Sequence, residues 1–128
     1  MCVEIKYPSK ETIDRLTKEL NLIGANEYTQ DWEIEVANAD QLQKYIEYYI
    51  NQKLNLNEKA TLMRIILEAY NEYFEINLQD GKFWEQIKVL LEKDYYIHRY
   101  TIKYWSCEEE DLENSFAITS LVRKLKLC

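Results

Sequence analysis

Two glycines and one proline are all that this chain of 128 residues contains. With only Gly24 and Gly81, no glycine-rich phosphate loop can be built. No G-x-G-x-x-G, P-loop or G-x-S-x-G motif occurs. The turn residues that an all-β sandwich or barrel needs are missing as well. So is any Pro-rich or Gly/Ser-rich tether. Histidine occurs once, as His98, so H-E-x-x-H is excluded. Cysteine occurs three times, as Cys2, Cys107 and Cys128, and three thiols cannot all pair internally. None of them stands at the C-x₂₋₄-C spacing of structural zinc sites. Arginine is limited to Arg15, Arg64, Arg99 and Arg123, too scattered for a phosphate clamp. No uncharged apolar run approaches the roughly 18 residues of a membrane helix. The opening "MCVEIKYPSKE" places charges where a signal peptide has its apolar core. These absences lead to four expectations: a reducing, cytoplasmic setting, no membrane association, no metal and no cofactor.

What the chain does have is acid. Sixteen Lys and Arg face 23 Asp and Glu, for a formal charge of −7 and a pI near 4.8. Neutralising nucleic-acid phosphates takes surplus Lys and Arg, so no nucleic-acid partner is expected. Anionic membranes are disfavoured for the same reason. The association class that the charge favours is a basic protein. Abundant Lys, Asn, Ile and Tyr beside scarce Arg and Gly is what AT-rich coding yields, and points to a low-GC bacterium or its mobile DNA.

Hydrophobic residues make up 47% of the chain, enough for a proper core, and residues 1–128 have the usual size of a single compact domain. Val3, Ile5 and Tyr7 alternate with Glu4 and Lys6, a strand signal that Pro8 ends. Ser9 is a good N-cap for a helix carrying Ile13, Leu16, Leu20 and Ile23, with Gly24 as its stop. In "DWEIEVAN", Trp32, Ile34 and Val36 alternate with Asp31, Glu33 and Glu35, which predicts a strand. Asp40 is placed to cap a helix with the stripe Leu42, Tyr45, Ile46, Tyr49, Ile50 and Leu54. Asn57 is placed to cap another, apolar nearly all round from Leu62 to Ile76 and therefore central. Its narrow polar strip holds Thr61, Arg64, Glu68, Glu72 and Glu75. After the Asp80-Gly81 turn comes an amphipathic helix with Phe83, Trp84, Ile87, Leu90 and Leu91. "YYIHRYTIKYW", Tyr95 to Trp105, is rich in β-formers, and pairing it with Trp32–Val36 would set Arg99 and Lys103 against Glu33 and Glu35. Thr119 or Ser120 then caps a short basic helix. The expected fold class is α+β: mainly helical, with about five helices and a small two- or three-stranded, mostly antiparallel sheet.

Chemistry-bearing constellations are few. A Cys-His dyad would need one of the cysteines brought to His98, and nothing around them looks like a nucleophile turn. Glu4-Ile5-Lys6 is similar to the E-x-K element of metal-dependent nucleases, but only three residues precede Glu4, where such a site needs a further acid. No catalytic residue is assigned. Eleven tyrosines are the compositional anomaly. Most fall on core stripes, whereas Tyr48 and Tyr95 fall off them and are expected at the surface, where tyrosine suits protein interfaces. Glu108, Glu109, Glu110, Asp111 and Glu113 crowd into six residues. Ser106-x-x-Glu109 has the pattern of a capping box, which would put these acids in a first helical turn.

The functional expectation is a small acidic cytosolic protein-binding module that blocks a basic partner. An immunity protein for a nuclease toxin fits that description, as does a phage protein imitating nucleic-acid charge. The expected partner-binding residues are Glu108, Glu109, Glu110, Asp111 and Glu113, then Asp31, Glu33 and Glu35, with Tyr48 and Tyr95 as anchors. The alternatives are an enzyme with a site around His98, Cys107 and the carboxylates, or a structural or regulatory homodimer subunit; the oligomeric state is left open.

Overall fold

Helices supply all the regular secondary structure among the described residues, which in this computed structural model are 5, 7–22, 32–77 and 81–125. The first helix, α1, spans Lys10–Leu20. Ser9 caps it by accepting a hydrogen bond from the Thr12 amide, 3.1 Å, and Ile13, Leu16 and Leu20 turn inward. It stops at Asn21, whose φ of 53° lies in the left-handed region that Asn enters at little cost. The expected stop, Gly24, and the stripe residue Ile23 lie outside the described residues.

Five further helices follow: α2 (Trp32–Val36), α3 (Leu42–Asn51), α4 (Leu56–Ile76), α5 (Trp84–Lys93) and α6 (Tyr95–Ser106). A short α7 (Thr119–Val122) comes last. A 3₁₀ turn at Ala39–Gln41 leads into α3, and there Asn38 rather than Asp40 is the cap, accepting from the Asp40 amide. At the start of α4, Asn55 and Glu58 form a reciprocal capping box. Asn57, the expected cap, ties α1 to α4 instead: its side-chain oxygen accepts from the Ser9 amide and its amide group donates to the Tyr7 carbonyl.

The apolar circumference of α4 does make it central. Leu62, Met63, Ile65, Ile66, Leu67, Ala69 and Tyr70 are fully buried, and α1, α2, α3 and α6 pack around it. At its C-terminal end Tyr70 stacks on Trp84 of α5, and Tyr73 meets Phe83 edge-on. Tyr45, Tyr49, Tyr70 and Tyr73 all sit on or against the core.

The expected sheet is not present among the described residues, so the α+β assignment is corrected to all-helical. Ile5 and Tyr7 are in no strand, and Val3, Glu4 and Lys6 lie outside the described residues. Trp32–Val36 is helical because Trp32 and Val36 are four apart, so they share a face of a helix as well as a face of a strand. Glu33 then turns to Arg64 of α4, and Ile34 is left 50% exposed. Tyr95–Ser106 is helical because Ile97, His98, Thr101, Ile102, Trp105 and Ser106 form a buried 3.6-residue stripe against the core. The proposed pairing of Arg99 and Lys103 with Glu33 and Glu35 falls with the strands: Arg99 and Lys103 are exposed on α6, and Glu33 belongs to Arg64.

Candidate functional site

The acidic run begins where α6 ends. Ser106 is the last residue of α6, and its hydroxyl donates to the Ile102 carbonyl inside the helix, 2.7 Å. It caps no new helix, so the capping-box reading of Ser106 and Glu109 is overturned. Cys107 turns the chain at φ 44°. Glu108, Glu109, Glu110, Asp111 and Glu113 then lie in an exposed turn, with Glu113 inside a 3₁₀ turn at Leu112–Asn114.

This placement reverses the electrostatics. The C-terminal end of a helix carries partial negative charge, which attracts cations and repels carboxylates. The first acids of the run therefore sit where the helix dipole disfavours them. Arg123, just past α7, compensates. Its Nε donates to the Ser106 carbonyl at 2.7 Å, and its Nη2 donates to the carbonyls of Cys107 and Glu110. One guanidinium thus satisfies the last carbonyl of α6 and ties down the acidic turn. Thr119 reinforces the junction by donating to the Trp105 carbonyl, 2.8 Å. Arg123→Ala is expected to cost about 0.5–1.5 kcal/mol, the net range for hydrogen bonds at a site where water can replace the donor. Faster amide exchange at residues 107–114 than in the native chain, with α4 unaffected, would check it; unchanged exchange there would mean that the turn holds itself.

The remaining expected residues scatter. Glu35 is exposed on α2, whereas Glu33 is buried and paired with Arg64, so it faces no partner. Asp31 lies outside the described residues. Tyr48 is half-buried, and its hydroxyl donates to Glu19 at 2.6 Å. Burial and that carboxylate push its pKa up to about 12. Tyr95 is half-buried against the core, edge-on to Tyr96. The tyrosines that do reach the surface include Tyr7, Tyr96 and Tyr104.

His98 and Cys107 are not brought together. His98 lies inside α6 and Cys107 just past its end, nine positions on and about 13 Å along the helix direction. His98 is fully buried and bonded to Tyr49, while the Cys107 thiol faces the Tyr104 carbonyl and the Thr119 hydroxyl. Cys2 and Cys128 lie outside the described residues. Among the described residues no group of three or more His, Cys, Asp or Glu is arranged to hold a metal ion. Nor is any described helix long and apolar enough to cross a membrane.

A second acidic feature escaped the sequence pattern. Between α2 and α4 runs a shallow groove of about 230 Å³ lined by Ile34, Ala37, Glu68, Asn71, Glu72, Glu75 and Ile76. Glu68, Glu72 and Glu75 recur at i, i+4 and i+7, so one face of α4 presents all three. The spacing was visible in the chain, but the opposite wall was not, because α2 reads as a strand.

No family model, curated protein or solved structure matches this chain.

Proposed function

We propose that this protein binds a basic protein and blocks it, using the acidic turn after α6 as its electrostatic docking surface. The observation that carries the reading is the position of Glu108, Glu109, Glu110, Asp111 and Glu113. They are exposed beyond the negative end of α6, and Arg123 anchors the backbone of the turn rather than their carboxylates. Natural sequences depart from local rules mainly where function compensates, and acids at a helix C-terminus are such a departure. The net charge of −7 adds long-range attraction for a cationic surface. An inhibitor of a nuclease toxin is the best fit, since a surface built to grip phosphates is basic. No catalytic role is assigned.

The test uses the chain as bait in extracts of its source cells, followed by association rates with the stoichiometric partner recovered. Charge reversal at Glu108→Lys, Glu109→Lys and Glu110→Lys should slow association by about tenfold or more at low salt, with the gap closing at high salt as screening sets in. Equal rates for both proteins at low salt, or no stoichiometric partner at all, would remove the proposal.

A further inference from the structure

We infer that the groove between α2 and α4 is the specificity pocket of this docking surface, taking one arginine or lysine side chain flanked by apolar residues of the basic partner. This rests on the reading above and adds a place and a chemistry to it.

Three features converge. The groove is walled by apolar groups: Ile34 of α2 is 50% exposed, Ile76 of α4 is 66% exposed, and Ala37 lies between the helices. Large aliphatic side chains left open on both sides of a cleft suit an apolar neighbour on each side of the guest. The floor is anionic, and no Lys or Arg among the described residues lines it. Asn71 braces one side by donating to Glu75 Oε1 at 3.0 Å, while its own oxygen accepts from the Ile118 amide.

The third feature is Glu68. The buried carboxylates among the described residues are matched within the chain: Glu33 by Arg64, Glu58 by Arg15 and Asp94 by Lys59. Glu68 is half-buried in the groove and has no cationic partner among the described residues. Burial, and secondarily the negative charge of Glu33, push its pKa up to about 7. Arg64 does not relieve this, being held by Glu33. Glu72 and Glu75 add negative charge from α4. The missing cation is what a partner's basic side chain would supply. A volume of about 230 Å³ admits one such side chain and not a helix.

The probe is the tripeptide Ac-Leu-Arg-Leu-NH₂, titrated into the ¹⁵N-labelled chain and followed by amide shifts, beside a control with citrulline in place of arginine. Saturable shifts confined to residues 34–37 and 68–76 are expected with arginine, and none with citrulline. The cation needs ionised Glu68, so affinity should be about tenfold weaker at pH 6 than at pH 8. Glu68→Gln keeps the shape, and should lose both that pH dependence and about tenfold in affinity at pH 8. The lysine triple variant at Glu108, Glu109 and Glu110 should bind the tripeptide unchanged, which separates this site from the acidic turn. Shifts confined to residues 107–114 would overturn the groove and leave the acidic docking surface standing. Absence of saturable shifts, or Glu68→Gln behaving as the native chain, would overturn the groove as well.

Discussion

Replacing Arg64 by methionine is expected to destabilise the fold by about 3–5 kcal/mol, the range for breaking one side of a buried ion pair. Arg64 Nε and Nη2 both lie 3.2 Å from Glu33 Oε1, Nη1 donates to the Ile5 carbonyl at 2.8 Å, and Nη2 reaches the Thr61 hydroxyl at 3.3 Å. Only about a tenth of either side chain of the pair is exposed. Burial lowers the arginine's pKa, and Glu33 opposes that shift, so the carboxylate is what keeps the cation tolerable there. Methionine retains the apolar stem and removes the charge, leaving Glu33 desolvated and alone, with the Ile5 carbonyl stranded beside it. The pair is also what fastens α2 to α4 on the polar side, while Trp32 and Val36 fasten it on the apolar side. The double change Glu33→Met with Arg64→Met should recover to within about 1 kcal/mol of the native chain, because no lone charge remains. Urea melts of the three proteins decide it. A single-variant loss below about 1 kcal/mol would mean that water reaches the pair and screens it.

The same pair explains why α2 was illegible. "WEIEV" satisfies two periods at once, since a strand and a helix both place Trp32 with Val36. Only Ile34 distinguishes them: in a strand it joins the apolar face, in the helix it lies outside it. What settles the choice is Arg64, thirty-one positions away, and no local pattern contains it. Residues 95–106 failed for a related reason. Tyr, Ile and Thr favour strands mainly because they suit a half-buried pleated surface, and packing onto α4 supplies another surface that they suit equally. The helical stripe Ile97, His98, Thr101, Ile102 and Trp105 was present alongside the alternation Tyr96, His98, Tyr100, Ile102 and Tyr104. The scarcity of glycine and proline was the better guide, because it bears on the whole chain and favoured long helices.

The helix at residues 95–106 also changes the site. A strand at residues 95–105 would set Ser106 before a helix and the acids that follow at its favourable end. With α6 in place, they stand at the unfavourable end of the helix just finished. Their exposure was legible from composition; their electrostatic cost was not. Helices α1, α3, α4 and α5 were readable because each repeats its apolar stripe over ten residues or more, long enough for one period to exclude the other.

His98 supplies the second large effect, an acid-sensitive stability. Tyr49 of α3 donates its hydroxyl hydrogen to Asp94 Oδ2 at 2.8 Å, and its oxygen lies 2.7 Å from His98 Nε2. A hydroxyl has one hydrogen to give, so His98 must donate from Nε2, which leaves Nδ1 as the bare nitrogen. Nδ1 is buried with no partner among the described residues. Protonating it would bury an N–H donor and a charge with nothing to accept them. Burial therefore lowers the His98 pKa to about 4 against the pull of Asp94, with Lys59 and Arg64 adding repulsion. An unfolded histidine titrates near 6.5, so between about pH 6.5 and 4 the unfolded chain binds a proton that the folded chain refuses. Stability from this group is complete above pH 6.5 and is lost as the pH falls towards 4, by about 3 kcal/mol in all. Glu68 works in the opposite sense over pH 4.5–7, because its raised pKa makes ionisation costly in the folded state. The net curve thus mixes both groups, and subtracting a His98→Gln variant isolates the histidine. Gln keeps a neutral donor towards Tyr49 and does not titrate. The native-minus-variant stability difference, from urea melts at pH 7, 5.5 and 4, should shrink by about 3 kcal/mol across the range. A constant difference would show that His98 gains a proton as readily folded as unfolded, and that Nδ1 has an acceptor after all.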